Sequence, residues 1–323
     1  MSDVVLGIDI GGTNTPFGLV DGQGRLLWHG RVDTRSREPL AQLVERLGAR
    51  LEEALGRADL PRPCAVGVGA PNANARTGWV QSPPNICWGS VDLAGELGRR
   101  TGLPVFLTND ANAAALGEWT WGAGRGVDDL LVVTLGTGLG SGLIVEGRLV
   151  HGASGHAGEL GHVCVEPGGR PCNCGLRGCL ETWVSASGLL ATAREAGLDL
   201  SPWCGSGEQP SPRALFRAAE GGDGRAAEVF RVSGEMLARG LATAIHLLSP
   251  GRIVVCGGVA RAGGWLLEPA RAALVDLLLE PFRDTFQVVP GALGADEAGV
   301  LGAAAWAFRH VDPNEQNHQG AAA

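Results

Sequence analysis

The sequence predicts an α/β protein made of two halves, and three observations predict it. Short runs rich in Val, Ile and Leu alternate with stretches whose apolar residues recur three and four apart. Two glycine-rich loops, "DIGGTN" and "LGTGLGSG", each follow such a run, in well-separated parts of the chain. The 323 residues are 45% hydrophobic, enough to bury roughly two domains' worth of core.

Taken in order, Val4–Ile10 reads as a strand. Pro16–Val32 reads as a hairpin turning at "DGQG", so the sheets are mixed rather than purely parallel. Leu40–Leu55 has helical spacing. Cys64–Ala70 and Val105–Asn109 are strands, and Ala111–Trp121 is a helix. Leu130–Gly136 and Gly142–Val150 are read as one strand each. Helices follow at Ala226–Leu248, Leu266–Leu279 and Ala298–Phe308, with a strand at Ile253–Gly258. The tail from Val311 is polar, then alanine only, and reads as disordered.

Composition excludes several classes. The net charge of −8 argues against a nucleic-acid or membrane-surface partner. The apolar runs are strand-sized, too short to span a bilayer. No basic start or exporting apolar run opens the chain, and eight cysteines in this length do not form a disulfide scaffold, so a cytoplasmic enzyme is expected. Every cationic side chain is arginine. Without lysine there is no Walker A loop and no protein-kinase strand lysine.

The glycine loops are candidate phosphate cradles. In the first, Gly11 and Gly12 let backbone amides approach an anion, Thr13 and Asn14 add side-chain donors, and Asp9 is placed to hold a hydrated Mg²⁺. Gly136, Thr137, Gly138 and Gly140 repeat the pattern, and Gly257 and Gly258 form a third turn. Each alone is equally a tight turn between packed elements; three of them after apolar strands favour a nucleotide site. In "LTNDANAAALGEW", Asp110 stands where a strand stops and a helix begins. It reads as the helix N-cap and also as a general base for phosphoryl transfer to an alcohol.

His162, Cys172, Cys174 and Cys179 give His-x9-Cys-x-Cys-x4-Cys. Four such ligands without a fifth match a closed tetrahedral, structural Zn²⁺ site; free buried cysteines, or a site drawing on Cys164, are the alternatives. Glu159, three before His162, and Glu181, just past the last cysteine, would be aimed by the pinned loop.

Together "GIDIGGTN", "TNDANAAALGEW", "LGTGLGSG", "GHAGELGH" and "CNCGLRGCLE" resemble the ROK family of repressors, open reading frames and sugar kinases, over nearly the whole chain. The resemblance implies two actin-like (ribonuclease H-like) α/β domains closing over ATP and a hexose in an interdomain cleft. It places residues 1–110 and about 297–312 in a small domain, 111–296 in a large one carrying the zinc loop, and 313–323 in the tail. It implies ATP phosphates at the first two glycine turns and adenosine near "CGGV". It makes Asn109 and Asp110 sugar-binding, with Asp110 the base for the 6-hydroxyl. Glu159, His162 and Glu181 become further sugar ligands, and a homo-oligomer, dimer or tetramer, is implied.

One departure stands in "GAPNANARTG": Asn72 occupies a place where the family often has glycine. This looks like the glucokinase branch. The alternatives are an N-acetylglucosamine or N-acetylmannosamine kinase, and a non-enzymatic sugar-responsive repressor, whose helix-turn-helix residues 1–8 do not accommodate. A chaperone or cytoskeletal ATPase would not need the acid cluster. Whether polyphosphate replaces ATP is left open.

Overall fold

The structure is a computed structural model describing residues 4–57, 59–83, 86–294 and 297–311. The tail expected to be disordered, residues 313–323, lies outside the described residues. Contacts divide the chain into two units: residues 1–126, 149–157 and 292–323, and residues 127–148 and 158–291.

The first unit contains β1 (Val4–Asp9), β2 (Asn14–Asp21), β3 (Leu26–Asp33), α1 (Leu40–Leu55), β4 (Ala65–Ala70), β5 (Ala73–Asn74), β6 (Trp79–Gln81), β7 (Ser90–Val91), α2 (Leu93–Thr101), β8 (Val105–Asn109), α3 (Asp110–Thr120) and α9 (Ala298–Val311). Its sheet runs β3-β2-β1-β4-β8, and a small sheet runs β5-β6-β7. β1 is antiparallel to β2 and parallel to β4, and β4 is parallel to β8. β1 and β4 are covered almost completely, which is why they read as unbroken apolar runs. β3 alternates half-buried and exposed residues and lies at the sheet edge.

The helix α9 lies against β1 and β4 at backbone distance. A Cβ at Gly7 would overlap the Val300 carbonyl, one at Gly67 the Ala303 carbonyl, and one at Gly302 the Ala113 carbonyl of α3. Only glycine lets these backbones approach so closely. The alanines of α3 and α9 serve the same close packing. Glu118 of α3 is fully buried yet satisfied. Its carboxylate accepts from the amides of Ala123 at 2.8 Å, Ala292 at 3.1 Å and Leu293 at 3.1 Å.

The second unit contains β9 (Leu130–Leu135), β10 (Leu139–Val145), β11 (Arg148–Leu149), α4 (Glu181–Val184), α5 (Ala186–Glu195), α6 (Pro212–Glu220), α7 (Gly224–Leu248), β12 (Arg252–Cys256), α8 (Gly264–Leu277) and β13 (Gln287–Pro290). Its sheet order, β11-β10-β9-β12-β13, repeats the order of the first. β9 is antiparallel to β10 and parallel to β12, and β12 is parallel to β13. The central layer of α7 and α8 packs on a core that includes Leu237, Leu241, Ile253 and Leu266.

Two sequence readings need correction. Gly142–Val150 is not one strand: Glu146 and Gly147 both adopt positive φ, 49° and 70°, and fold it into the β10–β11 hairpin. The "LGTGLGSG" stretch is mostly strand, with only Gly136–Gly138 as turn and Gly140 paired to Thr134. Alternation of small residues hid the second strand. Among the described residues no helix is long and apolar enough to cross a membrane.

Replacing Glu118 with Ala strands three buried amides. It should lower the unfolding free energy by about 3 kcal/mol or more, as read by urea unfolding.

Candidate active site

Three neighbouring parallel strands of the first unit end together. Asp9 of β1 pairs with Gly69 of β4, and Ala70 pairs with Asn109 of β8. A Cβ at Gly69 would lie 3.7 Å from the Asp9 carboxylate and 3.6 Å from the Asp110 Cα, so glycine leaves both acids side by side. Carboxyl ends of parallel strands are where α/β sheets bind ligands. The cap of α3 is Asn109 rather than Asp110. Asn109 has extended backbone, and its side-chain oxygen accepts from Ala111 at 2.9 Å and Asn112 at 3.3 Å. Asp110 is the first helical residue, its Oδ1 also 2.9 Å from the Ala111 amide. The Asn109 amide group is left as a donor.

Burial pushes the Asp9 carboxyl up to about 7, and the charge of Asp110 adds to it. Two carboxylates held side by side favour either a shared proton or a cation. Asp9 also presses against Gly299 in the first turn of α9, where a Cβ would overlap it.

The glycine turns occupy equivalent places in the two sheets. Residues Ile10–Thr13 join β1 to β2, with Asn14 already in β2 and paired to Asp33. Gly136–Gly138 join β9 to β10. Gly257 has φ 92° directly after β12, and Gly258 begins the short 3₁₀ turn Val259–Ala262. Following that turn, α8 and the start of α7 border an open cleft of about 570 Å³ lined by Gly224, Arg231, Gly264 and Trp265.

The structure brings the four expected metal ligands together. Single donor atoms of His162, Cys172, Cys174 and Cys179 all lie within 4.8 Å of one another. Cys164 is exposed and stands outside this group. Nδ1 of His162 is 3.8 Å from the Cys172 sulfur, and Nε2 is 3.9 Å from Glu159 Oε2. One ring nitrogen thus faces the sulfurs and the other a carboxylate, the arrangement that orients a metal-bound imidazole. Three thiols and an imidazole are the donor set of a small tetrahedral cation. Burial raises the Cys172 thiol and takes Cys179 to about 12, so charge there requires a cation. Glu181 Oε1 lies 3.8 Å from the Cys172 sulfur, and its Oε2 accepts from Leu139 N at 2.9 Å.

Several residues escaped the sequence reading. Arg170 lies inside the cysteine loop with its guanidinium 3.6 Å over the Trp183 ring. It donates to the Thr182 carbonyl at 2.9 Å and to Thr192 Oγ1 at 3.0 Å, and pairs with Glu195. Asn72, which the sequence did mark as a departure, sits at φ 52°, a conformation glycine or asparagine tolerates, which explains it. Asn74 is buried and donates to the Ser154 carbonyl at 3.2 Å. A polar residue between turn residues gave no signal of these partners.

Two sheets of one topology, each with a glycine turn at the same strand junction, define the two-domain actin-like class. Residues 5–310 match the ROK family, and the chain belongs to it. It is 39% identical over 307 residues to a glucokinase of Thermotoga maritima, covering 93% of this chain and 96% of that one. It is also similar to the crystal structure of a ROK family glucokinase from Streptomyces griseus in complex with glucose and AMPPNP. There the TM-score is 0.81 and the identity 35%, over 93% of this chain and 98% of that one. A ROK hexokinase from Thermus thermophilus gives a TM-score of 0.78 at 35% identity, over 95% and 99% of the two chains.

A raised Asp9 binds its proton more tightly in the folded than in the unfolded chain. Stability should therefore fall as pH rises from about 4 through about 7. In metal-free protein, Asp9→Asn should gain a few kcal/mol over the parent at pH 8. Urea unfolding at pH 8 and pH 4 checks this: the gain should vanish at pH 4.

Proposed function

We propose that the chain is an ATP-dependent hexokinase that phosphorylates the 6-hydroxyl of glucose, a glucokinase. The observation that carries this reading is Asp110 at the carboxyl end of β8, fixed by the Asn109 cap and set beside Asp9. Similarity to glucokinases over nearly the whole length supports it.

Asp110 is the general base. The proton of the sugar 6-hydroxyl passes to its carboxylate as the oxygen attacks the γ-phosphorus of ATP. The bond to the β–γ bridging oxygen breaks, and ADP leaves. Phosphate oxygens are held by amides of the two glycine turns, Gly11–Asn14 and Gly136–Gly140, since the chain has no lysine to do so. Asp9 would hold a hydrated Mg²⁺, which would neutralise charge on the phosphates. Gly257 and Gly258 lie toward the adenosine, and the adjoining cleft with Trp265 offers its base a flat apolar surface.

The Asn109 amide, Glu159, His162 and Glu181 grip the sugar hydroxyls. Glu159 and Glu181 accept, while the His162 Nε2–H donates; its other nitrogen, with Cys172, Cys174 and Cys179, would hold a structural Zn²⁺. The chain functions in the cytoplasm as a homo-oligomer, dimer or tetramer.

Coupled ADP release measured with glucose, mannose, N-acetylglucosamine and N-acetylmannosamine tests the assignment. Glucose should give the highest kcat/KM. Asp110→Asn should lower kcat by roughly 10³-fold while glucose binding stays within a few-fold. A variant retaining most of its turnover would show that the base is another group.

A further inference from the structure

The segment around the cysteine loop meets the second glycine turn and the start of β10 at five points. Glu181 Oε2 accepts from Leu139 N at 2.9 Å, where the turn enters β10. The amide of Ala186, at the start of α5, donates to the Gly136 carbonyl at 2.8 Å. A Cβ at Gly161 would press on the Leu139 carbonyl, and one at Gly138 would overlap Glu181 Oε2. Ser141 Oγ of β10 donates to the Gly158 carbonyl. All of these groups lie in the second unit.

A tight Gly-Thr-Gly turn has little intrinsic order, because glycine loses more backbone freedom on folding than any other residue. Its amides can form a rigid anion cradle only if something outside the turn holds them. Glu181 is the one charged side chain among these contacts, and charge-assisted bonds to backbone amides are the stronger kind.

We propose that Glu181 is a positioning residue: its Oε2 clamps the Gly136–Gly138 turn to the cysteine loop, leaving Oε1 as the oxygen that meets the sugar. The two carboxylate oxygens thereby tie order in the phosphate cradle to order in the segment Cys172–Glu181. Loosening the loop then weakens nucleotide binding as well as sugar binding. This rests on the kinase reading only for what the turn holds; the clamp itself does not depend on it.

The test compares Glu181→Ala and Glu181→Gln in full-length, zinc-loaded protein, with bound zinc and melting temperature confirming the fold. Hydrogen exchange of the peptide spanning residues 136–141 is read by mass spectrometry, and ADP binding by calorimetry without sugar. Alanine should speed exchange there roughly tenfold and weaken ADP binding to a similar degree. Glutamine keeps an acceptor for Leu139 N, so both readouts should stay near the parent values even as glucose binding weakens. If alanine does not fold, Glu181→Asp, charged but too short to reach, replaces it with the same expectation. Parent-like exchange in the alanine or aspartate variant overturns the clamp. Parent protein that binds no ADP would instead sink the kinase reading, while the exchange comparison still decides the clamp.

Discussion

The arrangement depends first on three thiols and an imidazole whose donor atoms lie within 4.8 Å of one another. Two of the thiols are buried, and packing them together is unfavourable as thiolates without a cation. A segment with so many glycines has no large core of its own. The cluster, Arg170 stacked on Trp183 and bonded to α5, and backbone bonds such as Gly178 N to the Arg170 carbonyl and Leu180 N to the Val163 carbonyl together shape the stretch from Glu159 to Glu181. Glu159 faces the outer nitrogen of His162, and Glu181 joins the loop to the second glycine turn through Leu139.

The chemistry of the first unit is set differently, by backbone proximity. Gly7 and Gly67 let α9 approach β1 and β4 at backbone distance, and Gly302 lets α9 approach α3 equally closely. Asp9 and Asp110 are then held together although they repel, and the raised Asp9 carboxyl is the electrostatic signature of that constraint. Repulsion of this kind favours a bound cation beside Asp9.

Much of this was legible in the sequence, for physical reasons. Apolar strands ending in glycine turns are local patterns, so β1, β4, β8, β9 and β12 were recognisable, and α/β alternation followed. Metal ligands within one loop are also local, so spacing alone brought His162 and the three cysteines together. The hairpin at Glu146–Gly147 was not legible, because its positive φ values fall on a charged residue as well as a glycine. β13 spans 4 residues and the helices α2, α5 and α6 span 9, 10 and 9, windows too short for a period to stand out although α6 does bury one face. Glu118 finds its acceptor role through amides some 170 residues away along the chain. Arg170, Asn74 and the Glu181–Leu139 bond likewise depend on partners that only the fold supplies.

The most direct measurement is metal content by mass spectrometry under native conditions, on the parent protein and on Cys174→Ala, paired with glucose affinity for each. One zinc per parent chain, none in the variant, and a glucose dissociation constant raised at least tenfold in the variant are expected. A parent chain free of metal that still binds glucose tightly would contradict the idea that a bound cation shapes the sugar-gripping loop.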